Sequence, residues 1–292
     1  MSQFYYLRRI GHPPCVSVHL CSIDHEAGVV RPLATHEVLP EYAIDPVVNH
    51  IAGISPASVR NEITQRAPLR PRHEPLIGSL ALVVKGGIFP ISLNDDAIEG
   101  LPAKRSLNAI PQVDVAVIAV PPAVVPSIVA QAGELGAAAA IIMTAGLGHG
   151  PGSIAEACEQ KARATGLRLV GPNCLGVAAP LANFNATFAA HAPRAGDLAV
   201  ISQSGAVAAG MIAWAARRQV GFSAIASVGD QLDVDFGDLL DFFAVDHHTR
   251  AILLYVESIQ NARKFMSAAR AAARTKPVVV IKAGRHAQAA QA

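Results

Sequence analysis

"LAVISQSGAVAAGMIAWAARR" occupies residues 198–218, and the turn at its middle decides the reading of the chain. Leu198 to Ile201 are apolar and strand-like, Ala206 to Arg218 form an Ala-rich helical stretch, and Ser202, Gln203, Ser204 and Gly205 join the two. A strand that ends in small polar residues and feeds a helix directs several unpaired backbone N–H groups at one spot, backed by the positive end of the helix dipole. Such a place binds anions, with Gly205 permitting close approach and the Ser202 and Ser204 hydroxyls adding donors. The plainer alternative is that Ser204 is an N-cap and nothing more, since serine leads the N-cap ranking.

The same alternation extends in both directions. Upstream come "VDVAVIAV" (113–120), a helical stretch over 123–135, "AAAAIIM" (137–143), a second over 153–165, and "LRLV" (167–170). After the Pro- and Gly-bearing link "HAPRAG" (191–196) the pattern restarts with "DLAVI", a helix over 206–218, "FSAIAS", a helix over 235–245, "AILLYV", a helix over 261–273, and "PVVVI". Short β-branched runs alternating with helices predict βαβ units and parallel sheets. We therefore expect two doubly wound α/β domains in tandem, over 86–192 and 193–292. Residues 1–85 stand apart, because stretches such as "ITQRAPLRPRHEPLIG" (63–78) show neither a period of 2 nor one of 3.6.

Two further polar, Gly-bearing turns end predicted strands: "IIMTAGLGHGPG" (141–152) and "LRLVGPNCLGV" (167–177). The carboxyl ends of parallel strands are where open α/β sheets bind ligands. Position makes the set informative, where any one turn alone is weak.

Composition narrows the classes of function. A chain of 292 residues with 51% hydrophobic and 16% charged residues can bury substantial cores and is long enough for about two domains. No uninterrupted apolar run approaches the ~18 residues of a membrane span, and "MSQFYYLRRIGHPP" has no signal-peptide core. We expect a cytoplasmic protein with no membrane contact. The formal net charge of +2 comes without any dense Lys/Arg run, so no nucleic-acid partner is expected.

Cysteine and histidine give less. Cys15, Cys21, Cys158 and Cys174 lack CxxC spacing, which argues against a disulfide framework and a structural zinc site. Cys174 would be a nucleophile only with a lowered pKa, and a small buried apolar role is the commoner fate of a free cysteine. His247 and His248 are adjacent and diverge on any helix, so no metal site is expected. His149 reads as a solvated loop residue.

In colinear order, "VDVAVIAVPPAVVP" (113–126), "IIMTAGLG", "LRLVGPNCLGV", "NFNATFAAHAPRAGDLAVISQSGAV" (183–207), "SVGDQLDVDFGDLLDFFAVDHHTRAILLYVESI" (227–259) and "KPVVVIKAGR" (276–285) resemble the NDP-forming acyl-CoA synthetase superfamily. That superfamily includes the α subunit of succinyl-CoA synthetase. The flavour is close to ADP-forming acetyl-CoA synthetases and to the synthetase-like region of bacterial protein lysine acetyltransferases. The resemblance covers residues 86 to 285 and implies a Rossmann-like CoA-binding domain followed by a flavodoxin-like one. It implies acid–thiol ligation, in which acyl-CoA and acyl phosphate interconvert through a phosphohistidine. Pro121, Pro122, Met143, Thr144, Ala145 and Gly146 would line the coenzyme A site, with Asn173 and Cys174 near its thiol. Ser202, Gln203, Ser204 and Gly205 would cradle the phosphoryl group. Glu257 matches the carboxylate that orients the histidine, where an acceptor on the second ring nitrogen fixes the tautomer and stabilises positive charge.

Two departures accompany the resemblance. Where the family opens with a strand and a Gly-Ala-Ser turn, this sequence has "NEITQRAPLRPRHEPLIGSLALVV" (61–84), with Gly78 and Ser79 as an echo. The family histidine follows the "KAGR" strand in a His-Thr-Gly loop, and Ala292 is reached before it; His286 comes too early. The nucleotide, ATP or ADP, would bind an ATP-grasp domain or subunit outside this chain. The expectation is the CoA-binding portion of an acyl-CoA synthetase, incomplete by itself. Its alternatives are a non-catalytic CoA- or acyl-CoA-sensing module of a lysine acetyltransferase, and a degenerate fragment.

Overall fold

A computed structural model describes residues 3–9, 16–24, 29–32, 88–92, 96–98, 101–110 and 113–283, the first three stretches as backbone alone. Gly78, Ser79, Arg285 and His286 lie outside the described residues. In chain order the strands are β1 (Gln3–Arg9), β2 (Val16–Asp24), β3 (Val29–Pro32), β4 (Ala97–Ile98), β5 (Leu101–Pro102), β6 (Val115–Ile118), β7 (Ala139–Ile142), β8 (Arg168–Val170), β9 (Gly176–Ala179), β10 (Phe184–Thr187), β11 (Ala195–Ser202), β12 (Phe222–Ser227), β13 (Ala251–Val256) and β14 (Val278–Lys282). The α-helices are α1 (Val125–Glu134), α2 (Ile154–Thr165), α3 (Gly205–Arg218), α4 (Phe236–Val245) and α5 (Ala262–Ala273). Every strand and helix expected from residue 113 onward is present within a few residues of its predicted place.

The first sheet is parallel with order β6-β7-β8. Period-2 alternation sorts its side chains onto two faces. Ala116, Ile118, Ala140, Ile142 and Leu169 cluster with Val125, Val129 and Ala132 of α1 and Ala155, Cys158 and Ala162 of α2. Val117, Ile141 and Val170 cluster instead with Cys174, Val177, Phe184 and Ala186. Among the described residues, then, helices cover one face of this sheet and the β9–β10 hairpin covers the other.

That hairpin belongs by hydrogen bonding to the second sheet, whose order is β10-β9-β12-β11-β13-β14-β1-β2-β3. Along the chain the passage from the first sheet to the second falls between β8 and β9. The physical reason is that β9 pairs antiparallel with β12 while its side chains pack on the first sheet, so one hairpin serves both cores. At the far edge, β1 pairs antiparallel with β14 and continues into β2 and β3, a meander that the aperiodic N-terminal sequence does not announce.

Within the second sheet β12, β11, β13 and β14 are parallel neighbours. Helix α3 lies on one face, where Ala208, Met211, Ile212 and Ala215 meet Val200, Ile225, Leu253 and Val279. Helices α4 and α5 lie on the other, where Leu240, Phe243, Phe265, Ala268, Ala269 and Ala272 meet Ile201, Ile252, Leu254 and Val280. Chain order reverses at β11, which sends the chain to β12 on one side and has β13 on the other. The crevice above the carboxyl ends of β11 and β13 is thus the topological switch point of a doubly wound sheet.

A second seam ties the sheets together. After β12 the chain runs beside β8, with Val234 N–H donating to Leu169 O (3.0 Å), Leu232 N–H to Gly171 O (2.9 Å) and Asp230 N–H to Pro172 O (3.0 Å). Arg168 grips Asp233 with two hydrogen bonds of 2.9 and 3.1 Å, and Asp233 also accepts the Leu169 N–H (2.8 Å). Lys264 bridges Asp235 and Asp238 at 2.9 and 2.6 Å. Burial alone would raise the Asp238 carboxyl, but the hydrogen bonds from Lys264 and the Asp235 backbone hold it below the usual carboxylate range.

Candidate functional site

The turn at the end of β11 has the anticipated local form. Ser204 is the N-cap of α3, its hydroxyl oxygen accepting the Val207 N–H at 3.3 Å. The N–H groups of Gly205 and Ala206, in the first turn of a helix, have no intrahelical acceptor, and the dipole of α3 (Gly205–Arg218) reinforces them. Capping and anion binding are compatible here, because the cap uses one N–H and leaves the Ser204 hydroxyl hydrogen available.

The other members of the turn are committed elsewhere. Ser202 is fully buried and its hydroxyl donates to Ser204 O at 2.7 Å, so it shapes the turn without reaching its surface. Gln203 faces β13: its Oε1 accepts the N–H groups of Glu257 and Ser258, both at 2.9 Å, and its Nε2 donates to Ser258 Oγ at 2.8 Å. Gly205 makes room for protein. A Cβ there would lie 3.3 Å from Leu175 N and 3.4 Å from Leu175 Cβ, so the neighbour needing its small size is the chain just after Cys174.

That contact brings two of the predicted turns together. Pro172 and Cys174 are buried while Asn173 is exposed, with φ of 59° and its Nδ2 donating to Asp230 Oδ1 at 3.2 Å. Leu175 N–H donates to the buried Ser227 hydroxyl at 3.0 Å. Cys174 is 3% exposed, its thiol donates to Ile142 O at 3.3 Å, and burial pushes it up to about 12. At neutral pH it is a thiol wedged between the sheets, without thiolate character.

Glu257 begins where β13 ends and is exposed. Its backbone is held on both sides, the N–H by Gln203 and the carbonyl oxygen by Lys282 Nζ at 2.8 Å. Ser227, Ser258, Asp230 and Lys282 are the parts of this neighbourhood that the sequence did not single out. Of these only Ser258, directly after Glu257 in "VESI", carried any signal.

The residues expected around coenzyme A gather at the carboxyl ends of β6 and β7. Pro121, Ala145 and Gly146 are exposed, and Pro122, Met143 and Thr144 half-buried. Thr144 ties the two strand ends by donating from Oγ1 to Val120 O at 2.7 Å, and its own carbonyl accepts the Asn173 N–H at 3.0 Å. Gly146, Gly148, Gly150 and Gly152 all have φ between 73° and 80°, giving the loop before α2 an open, backbone-rich surface. A cavity of about 470 Å³ lies elsewhere, at the amino end of β8 beside Arg163, Arg168, Leu232 and Asp233.

Residues 79–180 match the CoA binding domain and residues 195–292 the succinyl-CoA ligase like flavodoxin domain. The chain belongs to the NDP-forming acyl-CoA synthetase superfamily. The α subunit of the ADP-forming acetate–CoA ligase I of Pyrococcus furiosus is 39% identical over 216 residues, which cover 71% of this chain and 47% of that subunit. The corresponding subunit of ligase II is 37% identical over 205 residues, covering 68% and 44%. The apo acetyl-coenzyme A synthetase 1 of Candidatus Korarchaeum cryptofilum superimposes with a TM-score of 0.70 at 34% identity, over 77% of this chain and 51% of that one. The chain spans about half the length of these relatives. Among the described residues no three His, Cys, Asp or Glu side chains gather as a cation site, and no helix is long and apolar enough to cross a membrane.

Proposed function

We propose that this chain is the CoA-binding portion of an ADP-forming acyl-CoA synthetase, an acid–thiol ligase that interconverts acyl-CoA and acyl phosphate in the cytoplasm. In the direction of acyl transfer the CoA sulfur forms a bond to the acyl carbonyl and the bond to phosphate breaks, so phosphate leaves as an anion. A site for that chemistry needs an anion-binding turn beside a thiol-binding edge. The packing of Gly205 against Leu175 supports this reading above all, because a Cβ placed on Gly205 would lie 3.3 Å from Leu175 N, so the α3 N-terminus sits against the segment that follows "GPNC".

Named roles follow. The N–H groups of Gly205 and Ala206 and the Ser204 hydroxyl bind phosphate; Ser202 and Gln203 support them from behind. Pro121, Pro122, Met143, Thr144, Ala145 and Gly146 line the coenzyme site, and the open glycine loop admits a bulky ligand against backbone. Asn173, exposed at the junction of the two sites, faces the thiol end, and Cys174 fixes its place. Glu257 serves the histidine that carries the phosphoryl group, which this reading assigns to a segment beyond the described residues. ADP and ATP belong to an ATP-grasp domain or subunit, as in the family. A sensor module of a lysine acetyltransferase would need neither Glu257 nor the anion turn, and the relatives matched here are ligases.

Calorimetric titration with coenzyme A and, separately, inorganic phosphate tests the proposal. Saturable heat is expected for each, with the phosphate heat lost in Gly205→Val. No heat and no melting shift from either ligand at millimolar concentration would overturn it.

A further inference from the structure

The carboxyl end of β13 poses a mechanical problem. A carboxylate that must orient another group needs a fixed backbone, yet Glu257 lies one residue past Val256, where the strand ends. The regular ladder stops with Gln203 N–H donating to Tyr255 O (3.0 Å) and Ala283 N–H donating to Val256 O (2.9 Å). Beyond that point the flanking strands contribute side chains. From the β11 side Gln203 Oε1 accepts the N–H groups of Glu257 and Ser258, and Nε2 holds Ser258 Oγ. From the β14 side Lys282 Nζ donates to the Glu257 carbonyl oxygen and to Ala283 O.

We infer that Gln203 and Lys282 are positioning residues that extend the sheet by one residue so as to hold Glu257, and that Gln203 acts through this clamp and not as a ligand of the anion. The inference rests on the site reading above and changes the role of Gln203 within it. A glutamine carboxamide has two acceptor positions and two donor hydrogens. Both acceptor positions and one donor are already used by the β13 backbone and Ser258, so the clamp takes most of the capacity of this side chain. Gln203 follows Ser202 and precedes the cap of α3 (Gly205–Arg218), so the clamp also makes the anion turn and the Glu257 backbone one mechanical unit.

Amide hydrogen exchange on the full chain reads the clamp directly. Gln203→Met keeps the length of the side chain and removes its acceptor. The Glu257 and Ser258 amides should then exchange roughly tenfold faster, the cost of a typical hydrogen bond, while those of Leu253 and Leu254 stay unchanged. Gln203→Glu retains two acceptor positions and should restore slow exchange, a rescue that a side chain acting only by packing would not produce. Lys282→Met should loosen the same two amides by a smaller factor. Unchanged exchange at Glu257 and Ser258 in Gln203→Met overturns the inference.

Inorganic phosphate separates this outcome from the fate of the site reading. If wild-type protein shows a phosphate-dependent melting shift, Gln203→Met should keep at least half of it. A variant that loses the shift while its amides stay protected assigns Gln203 to the anion and overturns the clamp. A wild-type protein with no shift sinks the anion site, and the exchange result then decides the clamp alone.

Discussion

The turns after β8 and β11 look alike in sequence and differ in what they become. Both end a strand in small or polar residues containing glycine, and both sit at the carboxyl end of a parallel sheet. After Ser202–Gly205 the chain enters a helix, so unpaired N–H groups and a dipole remain at the surface. After Gly171–Cys174 it enters strand β9, and its polar groups are consumed by packing: Pro172 O accepts from Asp230, Gly171 O from Leu232, and Cys174 points its thiol at Ile142 O. The element that follows a turn therefore decides whether the turn can bind. In the proposed site the first turn offers the anion its N–H groups, and the second is chiefly the joint that aims it.

If the second turn is a joint, its glycines should be intolerant. Gly176 has φ of 116°, and a Cβ there would lie 1.9 Å from Ala186 O, across the hairpin that both cores share. Gly176→Ala should cost more than ~4 kcal/mol, in the class of core strain and broken packing, and urea denaturation of the purified variant reads it. A loss under about 1 kcal/mol would mean that the hairpin is not a shared wall.

Gly205→Val probes the contact between the turns. Its added bulk meets Leu175 at van der Waals distance or closer, so the expected stability cost is ~1–3 kcal/mol, typical of overpacking. Phosphate-dependent stabilisation should be lost, because the turns are driven apart. Retention of the full phosphate shift would show that the two turns act independently.

Much of this arrangement was legible in the sequence. Alternating β-branched and Ala-rich runs placed the parallel strands and the helices after residue 113, though not β9 and β10, because burial on two faces of a parallel sheet leaves a continuous apolar signal. The helix start at Ser204 was equally plain. What could not be read was direction. "GPNC" carries no local mark saying that a strand follows, and the β9–β10 hairpin lies within an Ala-rich run whose pairing with β12 is a long-range choice. Gln203 was counted among the anion's donors for the same reason: its partners Glu257 and Ser258 are 54 and 55 residues away. The need of Leu175 for a small residue at Gly205 was hidden for the same reason, since only the folded chain brings the two near.

Ser204→Ala should separate capping from binding on the first turn. The cap is worth about 1 kcal/mol, and its loss should lower the melting temperature modestly while the Gly205 and Ala206 N–H groups keep part of the phosphate response. Complete loss of that response at unchanged helix content would make the Ser204 hydroxyl the principal donor.

The smallest expected effect concerns the charged cluster that joins α4 and α5 beside the seam between the sheets. Asp238 has its carboxyl lowered through Lys264, and Lys264 also binds Asp235. A depressed carboxylate contributes stability that is fully present above its unfolded value, near pH 4, and is lost as pH falls through the folded value. Wild-type protein should therefore lose more melting temperature than Lys264→Met between pH 5 and pH 3, while the difference between them stays constant from pH 6 to 8. Because Lys264 is partly exposed, solvent screening keeps the effect to a few degrees or less, reduced further by salt. Parallel pH profiles for the two proteins would assign the seam to the β8 backbone ladder and the Arg168–Asp233 pair, and would make the charged cluster on α4 and α5 a bystander to the joint.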